Sequence, residues 1–489
     1  MSASALTLGM YSHTTLKPAI LLRPKPNTKP NKVRVFPANS APIFQPSYSD
    51  PFVLQLADTL EDSLPPSTSS SSPLQTLRDN SSQSLLSTPW PSLKDEAFRF
   101  TDISFIKSSQ IEPVSERTEL GNGLLSGLEG TQLPSLVIVD GFVLGSSSKE
   151  LTFPDGVYVG SLLGLPKDGN FGRVLDLLGP DFVWGDLFWS VNGLGAPDVA
   201  VVYVPAGVKV EDPIHLRYVS VVGGEEGSKR LPLSNPRVLV VVEDGGEVGI
   251  VEEFSCGDGS GNKSYWANSV FEVVIGEGAK VRHSYLQGQS TNAAHTKWTS
   301  VRQESASTYE LVEISAGGKL SRHNLHVQQL GPDTVTELST LHLSVGAQTQ
   351  DLHSKLVLDH PRAFSRQLHK SIVAHSQGQS VFDGNVQVNR YAQQTDAGQL
   401  TRSLLLEPRA TVNIKPNLQI IADDVKCSHG AAISDLEEGQ LFYLQTRGID
   451  LATARKALLF SFGAEVIAKL PTSSIRKEVE NRMKALLDA

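Results

Sequence analysis

From about Leu136 to about Ile421 the chain repeats one small device, a glycine-centred turn followed by an alternating apolar segment rich in Val, Ile, Leu and Tyr. The turns stand at Gly207, Gly246, Gly278, Gly318, Gly346, Gly378 and Gly398, at steps of 20 to 40 residues. A unit of that size, one turn and one or two strands, cannot bury its apolar side alone, so copies must stack into a continuous core. The segments are short and β-rich, with little room for long helices. A large sandwich or jelly roll is the competing architecture, but it needs tight hairpin turns between most strands. The dipeptides that make such turns are scattered, at Asp140-Gly141, Asn192-Gly193 and Asp383-Gly384. The pattern favours a mainly β chain built as a β-solenoid.

The flanks read differently. Phe52, Leu56, Leu60 and Leu64 recur at helical spacing, the Ser/Pro-rich stretch 65–73 interrupts them, and Leu74, Leu77 and Leu85 resume the pattern. After Ser434 a helix carrying Leu436, Leu441, Phe442 and Leu444 should stop at Arg447-Gly448. A second should start at a capping Asp450, and a third should run from Ser473 to the end. The expected organisation is a leader over 1–49, an N-terminal helical region with its linker over 50–135, a solenoid core over 136–433 and a C-terminal helical region over 434–489.

Charge sorts the partners. The formal net charge is −9, the wrong sign for a protein that grips phosphate backbones, so no nucleic-acid partner is expected. Residues 1–49 hold six of the 43 basic residues and none of the 52 acidic ones, so without them the charge is −15. A basic, Ser- and Pro-rich, acid-free leader without an apolar core has the composition of a plastid transit peptide; an ordinary basic tail shares it. No apolar run reaches the ~18 residues of a membrane helix, and no membrane partner is expected.

With only Cys256 and Cys427, the chain cannot build a four-thiolate metal site alone. On a strand, residues two apart share a face, so Cys427 and His429 in the segment Ala422–Gly430 (ADDVKCSHG) point the same way. Thiolate and imidazole suit iron or zinc, and two ligands leave room for others from a second chain or a substrate. A buried Cys beside a hydrogen-bonded His satisfies the same spacing. Nine of the twelve histidines fall between His283 and His375, and most are expected to face solvent or an interface. His323 and His326, three apart, should face opposite sides. Glycan cleavage by a solenoid is the alternative function, and it needs carboxylates on one face. Asp423 with Asp424 and Glu310 with Glu313 have odd separations, which counts against it. The glycine-rich stretch 257–264 lacks the ending of a phosphate-binding loop, so any ATP-driven step must use another subunit.

Three blocks carry a family resemblance. ADDVKCSHG, followed by Leu436-Glu437-Glu438-Gly439-Gln440-Leu441-Phe442-Tyr443-Leu444 and Arg447-Gly448-Ile449, is similar to the C-terminal signature of the SufD family of the SUF iron–sulfur cluster assembly machinery. Tyr203 to Val210 with Pro213-Ile214-His215 resembles a block shared by SufD and its paralogue SufB, and Lys94 to Asp102 resembles the N-terminal block. With the acid-free leader, the resemblance is to a plastid SufD. It implies a right-handed parallel β-helix flanked by N- and C-terminal α-helical regions, a non-catalytic scaffold subunit of the chloroplast stroma, a β-helix heterodimer with SufB, and docking of the ATPase SufC. It implies that His429 lies at the SufB interface as a ligand of a transient iron–sulfur cluster shared with SufB, with Cys427 matching the same motif. It also implies that the helix marked by Leu436, Leu441, Phe442, Tyr443, Leu444, Arg447 and Gly448 binds SufC, and it leaves a place for a reduced flavin in the complex.

Overall fold

The computed structural model describes residues 50–63, 73–118, 133–146, 153–166, 172–178, 185–225, 227–257 and 262–488. The leader and nearly all of the Ser/Pro-rich linker lie outside them. Strands are numbered β1 to β21 in chain order. One sheet runs β20 (Thr411–Ile420), β18 (Gln379–Val388), β16 (Thr349–Leu358), β14 (Leu320–Gln329), β12 (Ala294–Gln303), β10 (Trp266–Ile275), β8 (Arg237–Val242), β5 (Ala200–Val204) and β4 (Tyr158–Ser161), with β1 (Gln110–Pro113) and β7 (Arg230–Ser234) at its margin. The other runs β21 (Lys426–Ser434), β19 (Asp396–Leu405), β17 (Phe364–Val373), β15 (Val335–Ser344), β13 (Thr308–Ser315), β11 (Lys280–Gln287), β9 (Glu247–Cys256), β6 (Ile214–Ser220), β2 (Ser135–Val139) and β3 (Phe142–Ser146). From β8 onward the chain alternates between the sheets strand by strand, giving a parallel β-solenoid of about seven turns.

The alternating pattern folds this way because each coil places like residues over like. Val202, Val240, Val273, Val301, Val327, Leu356, Val386 and Leu418 stand in register as one inward column. Burying each such side chain is worth ~1.5–3 kcal/mol, but only when the coils on both sides are present.

The turns are of two kinds. Gly207, Gly246 and Gly278 lie at the corner leading from the first sheet to the second, whereas Gly318, Gly346 and Gly378 lie at the opposite corner, so the unequal sequence steps mix two positions of the coil. In seven successive coils the first corner holds a left-handed residue. Gly207, Gly245 and Gly278 fill it early, and Ala306, Asp333, Arg362 and Gln394 fill it later at φ of 55° to 61°. Each donates its amide to a carbonyl of the next coil, from Gly207 to Asp244 through Gln394 to Asp424. Gly398 is not a turn; it lies inside β19. Of the three candidate hairpin dipeptides only Asp140-Gly141 makes one, between antiparallel β2 and β3, at φ of 48° and 96°. Asn192-Gly193 lies in a helix and Asp383-Gly384 in β18.

Helices cover the outer faces. α1 (Pro51–Ser63), α2 (Pro73–Leu85), α3 (Ser104–Lys107), α4 (Gly172–Leu177) and α5 (Leu187–Gly195) come from the N-terminal half. Asp186 caps α5, accepting from the Phe188 and Trp189 amides at 3.0 and 3.2 Å. α1 and α5 pack with Trp90, Trp266 and Trp298 over the first sheet. The block around Phe98 continues across that sheet: Thr101 donates to Asp351 at 2.7 Å and Gln379 to the Phe100 carbonyl at 2.8 Å. α6 (Glu438–Thr446), α7 (Leu451–Ile467) and α8 (Ser473–Asp488) follow β21. α7 and α8 bury Leu459, Val466, Ile475, Val479 and Met483 against Leu286, Ile314, Leu341 and Leu343 of the second sheet.

The histidines overturn their expected exposure. His283, His295, His323, His326, His342 and His369 are all at most 2% exposed. Five of them point into the solenoid, where carboxylates and hydroxyls supply the partners that solvent would otherwise give. His326 lies on the outer side, opposite in direction to His323 as their spacing requires.

Candidate functional site

β20 and β21 end their sheets, so the last coil has a neighbour on one side only among the described residues. Its inward residues are therefore uncovered. Ile420, Ile421 and Ile433 are exposed at 45%, 58% and 49%, an apolar surface bordered by unpaired strand edges.

Cys427 and His429 lie on this face. In β21, Cys427 stands over Ala397 and His429 over Gln399, both inward residues of β19. Cys427 is half-buried and packs against the solenoid core, while His429 is exposed. Burial pushes the Cys427 thiol up, Asp396 adds to that, and the Ala397 backbone opposes it. The thiol is therefore held protonated at neutral pH, and a bound metal would displace the proton. Sulfur and imidazole nitrogen on one face are donors that iron accepts. Among the described residues no three His, Cys, Asp or Glu side chains gather as a metal cage; Cys427 and His429 place two donor side chains on one face.

Below the pair the interior is polar. The column beneath His429 reads Ile250, His283, Leu311, Leu338, Gln367 and Gln399 from the early coils to the last. Gln399 donates to Gln367 at 2.8 Å, and Gln367 donates across the interior to Ser354. Further down, Glu252 accepts from Tyr218 at 2.6 Å and Lys297 at 2.7 Å, with His283 at 2.8 Å. Glu313 holds His323 and His342, each at 2.8 Å. Burial alone would raise both carboxyls, but Lys297 and His283 pull Glu252 down to about 2, and His323 and His342 hold Glu313 well below the usual range. Burial together with Lys297 pushes His295 down to about 3. Sequence spacing alone misses this network. Its signal appears only when the coils are aligned strand on strand, which stacks Glu252, Tyr285, Glu313, Thr340 and His369 in one column.

The helix residues divide into two sets. Leu441 of α6 is buried, and Leu436 and Leu444 are half-buried, whereas Phe442 and Tyr443 are 69% and 57% exposed. Arg447 lies over the Tyr443 ring at 5.2 Å, and Gly448, at φ of 85°, ends the helix. Phe442, Tyr443 and Arg447 thus form a projecting aromatic and cationic knob. On the outer face of the last coils a groove of about 460 Å³, bordered by Glu465 and Lys469 of the C-terminal segment, is lined by Gly398, Ser428 and Gly430.

Comparison with known proteins agrees along most of the chain. Residues 224–462 match the SufBD core domain of SUF-system FeS cluster assembly, and residues 64–216 match the SufBD N-terminal region. The chain is 63% identical over 466 residues to the chloroplastic protein ABCI7 of Arabidopsis thaliana, covering 95% of this chain and 97% of that one. It is 35% identical over 396 residues to an iron–sulfur cluster assembly SufBD family protein of Synechocystis, covering 79% and 85%. To the iron–sulfur cluster assembly protein SufD of Escherichia coli it is 27% identical over 408 residues, covering 82% and 90%.

Proposed function

The chain belongs to the SufBD family of SUF iron–sulfur cluster assembly proteins, as a SufD-type member, and from that premise we propose that it is the non-catalytic scaffold partner of a SufB-type solenoid in the chloroplast stroma. The single observation that carries the reading is the open last coil, where unpaired strand edges and exposed isoleucines surround Cys427 and His429. A related solenoid seated there would continue both sheets, bury the apolar surface and enclose the two ligands at the seam. The partner supplies the remaining ligands, and the cluster is cargo: few ligands come from each side, so separation of the seam releases it. α6, with its Phe442, Tyr443 and Arg447 knob, is the docking element for a SufC-type ATPase, whose cycle acts on the seam through the C-terminal helices. Glycan cleavage finds no support, since the family is one of cluster assembly and the carboxylates Glu252 and Glu313 are sealed inside the solenoid.

Co-expression of the full chain with SufB- and SufC-type partners under anaerobic conditions tests this. The expected result is a stable complex that carries iron and sulfide, with flavin content measured on the same sample. The His429→Ala complex should assemble but lose most of its cluster. Undiminished loading in that variant would overturn the ligand assignment, and failure to form any complex would overturn the pairing.

A further inference from the structure

The column under His429 changes character where no packing need demands it. Leu311 and Leu338 fill the interior three and two coils before Gln399, and a leucine would fill the last coils equally well. Gln367 and Gln399 stand there instead, and a buried amide costs free energy unless its hydrogen bonds are made. Most of them are. The Gln399 amide nitrogen donates to the Gln367 oxygen at 2.8 Å, and Gln367 donates in turn to Ser354. Space fixes the arrangement further, since a Cβ on Gly384 would lie 2.3 Å from the Gln399 nitrogen; the glycine makes room for this side chain. One atom is left over. The Gln399 Oε1 is buried and unpartnered on a side chain only 3% exposed, and the next residue in its column is His429. Upstream, the same column shows what an inward histidine does when a partner exists: His283 holds Glu252 at 2.8 Å and the Tyr309 hydroxyl at 2.9 Å.

We propose that Gln399 is the positioning residue of His429: the Oε1 that stands unpaired beneath the exposed ring is the acceptor for the N–H of one imidazole nitrogen when the ring turns onto the column, fixing the tautomer and leaving the other nitrogen to face the open end as the ligand. The Ser354–Gln367–Gln399 chain holds that acceptor in place. This inference rests on the ligand reading of His429 for its purpose, but not for its geometry. A ligand histidine is ordinarily oriented by a hydrogen bond from its second nitrogen, and losing that partner costs roughly 10- to 100-fold in metal affinity.

The test uses the full chain with 15N-labelled histidine, assigning the His429 signals by comparison with His429→Asn, and then the assembled complex. In the wild type, His429 nitrogen shifts should show one dominant tautomer without any metal. Gln399→Met, close in volume, should convert this to the mixed tautomers of a free imidazole, leave the His283 signals unchanged, and weaken iron retention in the complex roughly 10- to 100-fold. Gln399→Glu loses the donor to Gln367 but keeps an acceptor, so it should keep the facing His429 nitrogen protonated, and it provides the second variant if Gln399→Met does not fold. Mixed tautomers already in the wild type, or one unchanged tautomer in Gln399→Met, would overturn the inference. If Gln399→Met mixes the tautomers while His429→Ala leaves cluster loading intact, the positioning stands and the ligand reading falls.

Discussion

Replacing Lys297 by Met removes the ammonium that contacts Glu252 inside the solenoid, and the structure sets how much that must cost. Lys297 Nζ lies 2.7 Å from Glu252 and within 5.4 Å of the ring centroids of Phe254, Phe271 and Tyr285. Both charged side chains are fully buried. A solvent-exposed pair of this kind is worth ~0–1 kcal/mol, but stranding a buried carboxylate costs about 3–5 kcal/mol. Methionine matches the lysine stem in shape, so the loss reports the charge rather than a cavity. The pH dependence supplies the decisive sign. In the wild type Glu252 is pulled down to about 2, below the ~4.3 of an unfolded glutamate. Its contribution is therefore fully present above about pH 4.3 and is lost as pH falls through about 2. In Lys297→Met only His283 still opposes burial, so the carboxyl titrates upward and protonation relieves the strain, and the penalty should shrink between pH 7 and pH 5. Because a solenoid opens coil by coil, urea unfolding should be read together with hydrogen exchange in β9 to β12. A loss below about 1 kcal/mol at pH 7, or a penalty that does not shrink at pH 5, would refute the assignment of an ionised pair.

Three further outcomes are expected. Gly278→Ala, at φ of 65° with open space around the new methyl, should cost ~1–2 kcal/mol in urea unfolding, whereas Gly276→Ala, whose Cβ would meet Asp244 Oδ1 at 2.5 Å, should cost more. Leu441→Ala should destabilise α6 by about 2 kcal/mol, while Phe442→Ala and Tyr443→Ala should change thermal stability by less than about 0.5 kcal/mol and abolish co-purification with a SufC-type ATPase. Burial raises Asp140 to about 6 although the Val221 and Val222 amides oppose it, so its contribution to stability is present below about pH 4 and lost as pH rises through about 6; Asp140→Asn should flatten that part of a melting-temperature profile.

The solenoid was legible because alternation and corner glycines are local signals, and the inward column from Val202 to Leu418 is the three-dimensional form of that alternation. Four of the seven left-handed corners were not legible. Ala306, Asp333, Arg362 and Gln394 adopt the conformation without being glycine, because each amide is tied to the next coil's carbonyl. Gly398 misled for the converse reason: inside β19 it is a residue whose extra Cβ would press on Arg366 at 3.2 Å. The C-x-H pair could be placed on one face from period two alone. The histidines between His283 and His375 could not, because an imidazole on an alternating segment is equally compatible with water and with a buried carboxylate. Which it meets depends on residues one coil away, some thirty positions distant, and no single strand carries that information.

That dependence on stacking is also what makes a site at the end of the solenoid. His283 and His429 occupy the same inward column. At His283, coils lie on both sides: Glu252 and Tyr309 engage its two nitrogens, and the Phe271 ring stacks on it at 4.5 Å. Burial and those bonds consume its donor capacity within the fold. At His429 the column stops, so among the described residues the same position has a neighbour beneath it and none above, and the imidazole is exposed. No special loop is required to make the second histidine available. The chain converts a structural histidine into an accessible one by ending the stack, and the same ending leaves the outer edges of β20 and β21 unpaired among the described residues.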